Sequence, residues 1–314
     1  MTGDHAGAPF QRGRFDALPE RPTRAHGDAL AEARDLWIDS KHFGRIRIHL
    51  REYGQGPPLL LVHGLMTTGY SYRYLLEPLG ARHRLLVPDL PGCGRSEKPE
   101  VRYGASALAG FLGELVDALG IRGCAAVGNS LGGYLCMRLA LRDPTALSRL
   151  VDIHSPAFPE LRLRAMGLAL RVPGVAAALG AFIGRAPQRW AHANVHYFDE
   201  SLKSLEEAEA YGGPLASPEG RRAFIAYLRD AVSAGELAGF ARELARRRAA
   251  GQGFPIPLCL VYARQDPMVS PKVGERLAKL LPDAPMYWLE RSSHFAQVDS
   301  PERVAEIVEH FLSA

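Results

Sequence analysis

The residues best suited to chemistry centre on Ser130, in the segment Gly128-Asn129-Ser130-Leu131-Gly132. This G-x-S-x-G pattern lies between an apolar run at 124–127 and a helix pattern at 134–142. A serine on such a strand-to-helix turn is held clear of the sheet, and the glycines avoid collisions in the turn. The helix that follows directs unpaired N–H groups at the point where an oxyanion would form. The pattern predicts a hydroxyl nucleophile, although the pentapeptide alone is equally typical of a plain glycine-serine turn.

Two downstream residues are suited to activate this serine. A serine hydroxyl needs a base, and the base needs an acid that holds its tautomer. His294 follows the apolar run 286–289, and Asp266 follows the apolar strand pattern 258–262. Both belong to strand-end loops and complete the order serine, acid, histidine, although Asp266-Pro267 alone is also typical of a turn. Four other histidines lie too near Ser130, in an irregular segment or inside the last helix pattern: His154, His192, His196 and His310.

A further feature lies upstream, where the apolar run 59–62 leads into His63 and Gly64. A continuous apolar run is typical of a buried parallel strand. The turn after it offers a backbone N–H that could join the N–H of Leu131 in binding an oxyanion. We interpret His63 itself as structural, because a histidine before a tight glycine turn commonly satisfies backbone groups of the loop.

The elements that must position these residues alternate along the chain. A helix pattern over 28–36 is followed by alternating residues at 45–50, which predict a half-exposed strand that begins the sheet in antiparallel fashion. Apolar runs predict buried strands, mostly separated by helices, at 59–62, 85–87, 125–127, 150–153, 258–262 and 286–289. This pattern favours an α/β fold with a mostly parallel sheet covered on both faces. Reactive groups at the carboxyl ends of strands fit such a sheet.

The alternation stops between residues 155 and 253, where only helix patterns occur. Proline residues separate the predicted helices at 161–172, 175–183, 201–209 and 220–250. A basic run near the end of this region most simply forms a solvated helix face, with an anionic substrate group or partner as the alternative; it comprises Arg242, Arg246, Arg247 and Arg248.

Composition excludes several classes of function. The 314 residues are 47% hydrophobic and 23% charged, which is typical of a globular protein. The net charge of +4 is too small to indicate nucleic-acid binding, and no membrane-spanning run occurs. Residues 1–25 lack a secretory signal, and their acidic residues argue against a targeting segment. The cysteines are scattered and lack metal-binding spacing, which predicts a cytoplasmic protein without a metal site; they are Cys93, Cys124, Cys136 and Cys259. We also expect no cofactor.

Together these features make the chain resemble the α/β-hydrolase superfamily, over nearly everything from residue 41 to the C-terminus. The resemblance implies Ser130 as nucleophile, His294 as general base and acid, and Asp266 as the orienting carboxylate. It implies an oxyanion hole made by the N–H groups of Leu65 and Leu131. The segment 89–96 then corresponds to a structural loop in which Asp89 caps and the glycines turn. It also implies a domain division: an N-terminal extension, partly flexible, at 1–40, a core at 41–154 and 254–314, and a helical cap at 155–253.

The type of reaction has several candidates. Superfamily members with an aspartate nucleophile, such as haloalkane dehalogenases and epoxide hydrolases, are disfavoured by Ser130. Asn129 and the cap placement resemble carbon-carbon hydrolases of meta-cleavage pathways, which usually carry tryptophan where this chain has Phe295. Their glycine-rich oxyanion turn is replaced here by residues 65–68.

We therefore expect a carboxylic ester hydrolase first, acting on a small hydrophobic substrate. Its apolar pocket is predicted from Leu65, Met66, Phe158, Phe295 and Val298. A carbon-carbon hydrolase is the alternative and would need a cation in the cap, for which Arg185 and Arg189 are candidates. A non-catalytic ligand-binding scaffold is the second alternative.

Overall fold

A computed structural model describes residues 9–313 and contains an eight-stranded sheet. The strands are β1 Glu32–Ser40, β2 Gly44–Tyr53, β3 Pro58–Val62, β4 Arg84–Pro88, β5 Cys124–Asn129, β6 Leu147–Ile153, β7 Leu258–Ala263 and β8 Met286–Leu289. Their order is β1-β2-β4-β3-β5-β6-β7-β8; β2 is antiparallel to both of its neighbours, β1 and β4, and all other neighbouring strands are parallel. This arrangement confirms the predicted α/β fold with its mostly parallel sheet.

Helices cover both faces of the sheet. They are α1 Leu76–Gly80, α2 Ala105–Ala118, α3 Leu131–Arg142, α4 Leu161–Ala169, α5 Val175–Arg185, α6 Pro187–Asn194, α7 Leu205–Gly212, α8 Pro218–Asp230, α9 Ala234–Ala249, α10 Pro271–Leu280, α11 Ala296–Asp299 and α12 Pro301–Ser313. In β3, Leu60 and Val62 face a core cluster that includes α2, α3 and α10, while Leu59 and Leu61 face a second cluster that includes α1 and α12. Successive strand side chains point to opposite faces, so a continuous apolar run marks a strand buried on both faces.

The first strand corrects a sequence-based prediction. The helix expected over 28–36 is wrong, because a short 3-10 turn at Asp28–Leu30 is followed by β1. Pairing with β2 along the whole length of β1 overrides the helical preference of its residues. The strand predicted at 45–50 is therefore second in the sheet, and the sheet begins at residue 32 rather than 41.

The N-terminal segment 9–31 lies along the helical region. The N–H of Phe10 donates to Phe198, and the N–H of Leu205 donates to the Pro19 carbonyl. His192 Nε2 hydrogen-bonds the Gly13 carbonyl. The first eight residues of the predicted extension lie outside the described residues.

The regular secondary structure between β6 and β7 consists of helices, as the sequence indicated. The single helix expected over 220–250 is two helices, α8 and α9, because the Ser233 hydroxyl accepts the N–H of Glu236 and starts a new helix. Helix α6 was not predicted, and α7 begins later than expected because Ser204 caps it. Among the described residues, no helix combines the length and apolarity needed to cross a bilayer.

Candidate active site

Ser130 lies in the tight turn between β5 and α3. Its backbone has φ 54° and ψ −121°, a conformation that a residue with a side chain rarely adopts and that persists only when the surroundings impose it. The surroundings are close: a Cβ on Gly132 would lie 2.0 Å from the Val62 carbonyl oxygen, and one on Gly128 2.4 Å from Gly133 N. Only glycine fits at these two positions, which explains the spacing of the pattern around Ser130.

Asp266 and His294 are brought together by the neighbouring strands β7 and β8. Nδ1 of His294 donates to Oδ2 of Asp266 at 2.7 Å. Oδ1 of Asp266 accepts the N–H groups of Met268 at 2.6 Å and Val269 at 2.9 Å. Burial opposes ionisation of Asp266, but the neighbouring His294 and these N–H groups outweigh it and lower the pKa of Asp266 below its usual value. A charged carboxylate therefore holds the His294 proton on Nδ1.

The serine turn is tied to the histidine loop. Nδ2 of Asn129 donates to the His294 carbonyl at 3.0 Å, so the residue before Ser130 holds the backbone of His294. Ser130 is only 9% exposed and His294 5%, which makes the site closed to solvent. Within residues 9–313 the Ser130 hydroxyl has no hydrogen-bond partner, including Nε2 of His294. Catalytic hydrogen bonds often form fully only once substrate is bound.

Two backbone N–H groups near Ser130 have no hydrogen-bond acceptor in the described part of the chain. A Cβ on Gly64 would lie 3.1 Å from Cβ of Ser130, so the turn after β3 touches the serine. Within residues 9–313, neither the N–H of Leu65 nor that of Leu131 donates a hydrogen bond. Both N–H groups are free to bind an anion there.

His63 and Asp89 have the structural roles that the sequence indicated. The Nδ1 atom of His63 bonds the Gly64 carbonyl at 2.8 Å, and Nε2 accepts the Leu90 N–H at 3.0 Å. Asp89 accepts the N–H groups of Gly69 at 2.8 Å and Arg95 at 2.9 Å. Both ring nitrogens and both carboxylate oxygens are therefore used in fixing loops.

His154 belongs to the surroundings of the site, which sequence reasoning missed. Its ring centroid lies 5.6 Å from that of His294, although it follows Ser130 closely in sequence. Nε2 of His154 accepts the N–H of Ala263, and burial lowers the pKa of His154 to about 4. The ring is thus neutral near pH 7. No local sequence pattern indicates that His154 lies beside His294, because its position depends on the pairing of β6 with β7, which ends at the residue before it.

A second buried carboxyl group, that of Asp152 near the end of β6, lies beneath the serine turn. The Ser155 hydroxyl bonds the Ser130 carbonyl at 2.9 Å and also contacts Oδ1 of Asp152. The Tyr262 hydroxyl donates to the Ser155 carbonyl at 2.8 Å, and its oxygen lies 3.4 Å from Oδ2 of Asp152. Burial raises the pKa of Asp152 to about 7. Within residues 9–313 the carboxylate that bonds His294 is that of Asp266.

The predicted pocket residues are brought together only in part. Phe295 and Val298 belong to one buried apolar cluster, and Met66 packs against it. Phe158 belongs instead to the large core cluster that contains Leu131, and Leu65 packs against that cluster from the oxyanion turn. A small cavity of about 30 Å³ adjoins Leu65 and Met66.

The arginines considered for a carboxylate-binding role are exposed. Arg189 is 53% exposed and pairs with Asp16 of the N-terminal segment. Arg185 at the end of α5 is also exposed. Neither supplies a buried cation to the closed site.

One group of residues has the geometry of a metal site. Potential ligand atoms of His154, Asp266 and His294 lie within 4.8 Å of one another. Nε2 of His154 already accepts a backbone N–H, which leaves the proton on Nδ1, and Nδ1 of His294 is bonded to Asp266. These hydrogen bonds favour proton transfer at Nε2 of His294 over metal binding.

Comparisons with known proteins place this geometry in context. The family model described as alpha/beta hydrolase fold matches residues 57–301. The chain is 29% identical over 286 residues to haloalkane dehalogenase 2 of Mycobacterium tuberculosis, covering 88% of this chain and 94% of the relative. It is 26% identical over 274 residues to 2-hydroxymuconate semialdehyde hydrolase of a Pseudomonas species, covering 85% and 91%.

A solved structure supports the fold. The thermophilic esterase from Thermogutta terrifontis superimposes with a TM-score of 0.67 and 21% identity, over 90% of this chain and 98% of the esterase. At this identity the likeness shows the architecture and does not extend to the substrate.

Proposed function

The chain belongs to the α/β-hydrolase-fold family, and we propose that it is a serine hydrolase that cleaves a carboxylic ester of a hydrophobic small molecule. The observation that carries the proposal is the 2.7 Å hydrogen bond between His294 and Asp266, beside the turn that holds Ser130. A serine, a histidine and a buried carboxylate in this order are suited to acyl transfer. We assign these three residues the roles of nucleophile, base and orienting acid.

In the first step, Nε2 of His294 takes the hydroxyl proton of Ser130 as Oγ attacks the ester carbonyl carbon. The carbonyl oxygen becomes an anion, which the N–H groups of Leu65 and Leu131 would bind. Asp266 stabilises the doubly protonated His294 ring, because its carboxylate is charged and hydrogen-bonded to Nδ1. His294 then gives its proton to the departing alcohol, and an acyl-enzyme on Ser130 remains.

In the second step, water replaces the alcohol. Nε2 of His294 removes a proton from the water as its oxygen attacks the acyl carbon, and the same two N–H groups bind the second anion. Collapse of this anion releases the acid, and the proton returns to Oγ of Ser130. The cycle needs no cofactor.

The substrate is proposed to be apolar because of the side chains around the turn. Met66, Phe295 and Val298 pack in or against one apolar cluster with residues of the helical region. We propose that this region acts as the cap and opens to admit substrate, since Ser130 and His294 are nearly inaccessible. Closure would then exclude water and strengthen the electrostatic interactions of the site. Cytoplasmic residence stays a prediction from the scattered cysteines.

A carbon-carbon hydrolase is the alternative, favoured by the similarity to 2-hydroxymuconate semialdehyde hydrolase. Such a reaction on a dienoate needs a cation for the substrate carboxylate. Because Arg185 and Arg189 are exposed, we rank this alternative second. The non-catalytic scaffold ranks third, since a charged acid bonded to His294 has no evident use without chemistry.

Labelling with a fluorophosphonate, followed by a panel of p-nitrophenyl esters of increasing acyl length, tests the proposal. We expect a covalent adduct on Ser130 and hydrolysis of short to medium esters. An unlabelled protein would support the scaffold alternative. Turnover of a meta-cleavage dienoate beside negligible ester hydrolysis would support the carbon-carbon alternative.

A further inference from the structure

Helices α4 and α5 and the turn between them, residues 161–185, are unusually exposed; we call this helix–turn–helix segment the α4–α5 hairpin for its connectivity alone. No residue of α4 is buried, and α5 buries only Gly180 and Ile183. Within residues 9–313, seven large apolar side chains are exposed, and four of them lie in this α4–α5 hairpin: Leu161, Leu168, Val172 and Phe182. Leu161 is 81% exposed and Phe182 61%. Exposed large apolar side chains concentrated in one segment favour a role in binding a partner.

The charge of the hairpin is uniformly positive. The chain contains no aspartate or glutamate between residues 161 and 198. The hairpin carries four exposed arginines: Arg162, Arg164, Arg171 and Arg185. Within residues 9–313, Arg164, Arg171 and Arg185 form no ion pair, so their charges are available to a partner.

The inner side of the hairpin lies over the candidate site. Both helices pack on α8. Met166 of α4 and Leu179 of α5 pack against a buried cluster that also contacts Leu65 and Met66 of the oxyanion turn. The hairpin therefore has one side on the apolar roof of the site and the other towards solvent.

We propose that the α4–α5 hairpin binds the surface of an anionic lipid bilayer. Exposed arginines beside exposed aliphatic and aromatic side chains can supply both interactions of a membrane interface: the basic groups meet lipid phosphates and the apolar groups enter the acyl boundary. The hairpin is too short to span, so the attachment is peripheral and reversible. It would bring the roof of the site against the lipid in which an apolar substrate dissolves.

The chemistry favours lipid over other anionic partners. A nucleic acid would use the arginines but would gain nothing from the exposed Leu161 and Leu168. An acidic protein partner would need a recess for its side chains, whereas these residues project from the outer sides of two helices. The proposal does not depend on the reaction proposed for Ser130.

Flotation of the full chain with vesicles tests the inference. We expect binding to phosphatidylcholine vesicles that contain phosphatidylglycerol, and at least about tenfold weaker binding to pure phosphatidylcholine. Arg164→Gln with Arg171→Gln should weaken binding about 25-fold, since each basic group contributes about fivefold. Leu168→Ser with Phe182→Ser should weaken it at least about tenfold through lost apolar burial.

Matched controls separate this hairpin from general surface properties. Arg242→Gln with Arg248→Gln removes two exposed arginines of α9, and Leu30→Ser removes an exposed leucine of the N-terminal segment. We expect each control to bind within twofold of the parent, and Ser130→Ala to bind like the parent whether or not the chain is an esterase. Equal loss in the hairpin variants and their controls would overturn the proposal. So would absence of vesicle binding, or self-association that Phe182→Ser abolishes.

Discussion

Replacing Asp266 by asparagine tests how the site holds its proton. In the parent, two backbone N–H groups, of Met268 and Val269, point at Oδ1 of Asp266, while Nδ1 of His294 donates to Oδ2. In Asp266→Asn the amide oxygen must stay on the two N–H groups. The amide nitrogen then faces Nδ1 of His294 and donates to it, which moves the histidine proton to Nε2 and blocks that atom as a base.

The size of the effect follows from the cost of the opposite amide orientation. Turning the amide would set its NH₂ group against the N–H groups of Met268, partly buried, and Val269, buried, and leave both without an acceptor. Each such loss costs about 1–3 kcal/mol, so the productive orientation is disfavoured by roughly 2–6 kcal/mol. At about 1.4 kcal/mol per tenfold, this is a factor of roughly 30 to 10⁴, and lost stabilisation of the charged His294 ring adds to it. We expect kcat to fall about 10⁴-fold.

The assay is the rate of fluorophosphonate labelling together with kcat on a p-nitrophenyl ester. Asp283→Asn, at an exposed position, is the control and should be unchanged. Asp266→Ala lets the proton return to Nδ1, so it should lose less activity than Asp266→Asn. A folded Asp266→Asn variant within tenfold of the parent would refute the tautomer argument, and a larger loss in Asp152→Asn would move the acid to Asp152.

Three further predictions concern other residues. Ser130→Ala should abolish labelling and lower kcat about a million-fold, because the nucleophile is lost; an adduct on another residue would contradict the assignment. Asp152 has a pKa raised to about 7 when folded, so its protonated form is favoured and stability falls as the pH rises from about 4 to 7. In urea unfolding, the parent should lose about 3 kcal/mol more than Asp152→Asn between pH 5 and pH 8, and equal pH dependence would show that Asp152 is not buried as described. Arg189→Ala should keep kcat/KM for a neutral ester within about tenfold, because Arg189 is exposed and pairs with Asp16 rather than reaching the closed site; a greater loss would indicate contact with substrate.

Much of the fold could be predicted from local sequence. The apolar run 59–62 indicated β3 because a strand buried on both faces needs no polar residue. The helix expected over 28–36 failed, since the preference of single residues is weaker than the pairing of β1 with β2. The break between α8 and α9 was missed although Ser233 and Glu236 form a recognisable helix start.

The candidate site also has features that local sequence predicts and features that it does not. The order of residues is enough to place a serine in a glycine-flanked turn, and an acid and a histidine in later strand-end loops, because these features are local. The hydrogen bond between Asp266 and His294, and the position of His154 beside the His294 ring, are visible only in the folded chain. Likewise, only the packing of the folded chain shows that Phe158 and Phe295 belong to different apolar clusters. Such choices depend on strand order and on how side chains from distant segments fill space, and neither is written in the spacing of residues along the chain.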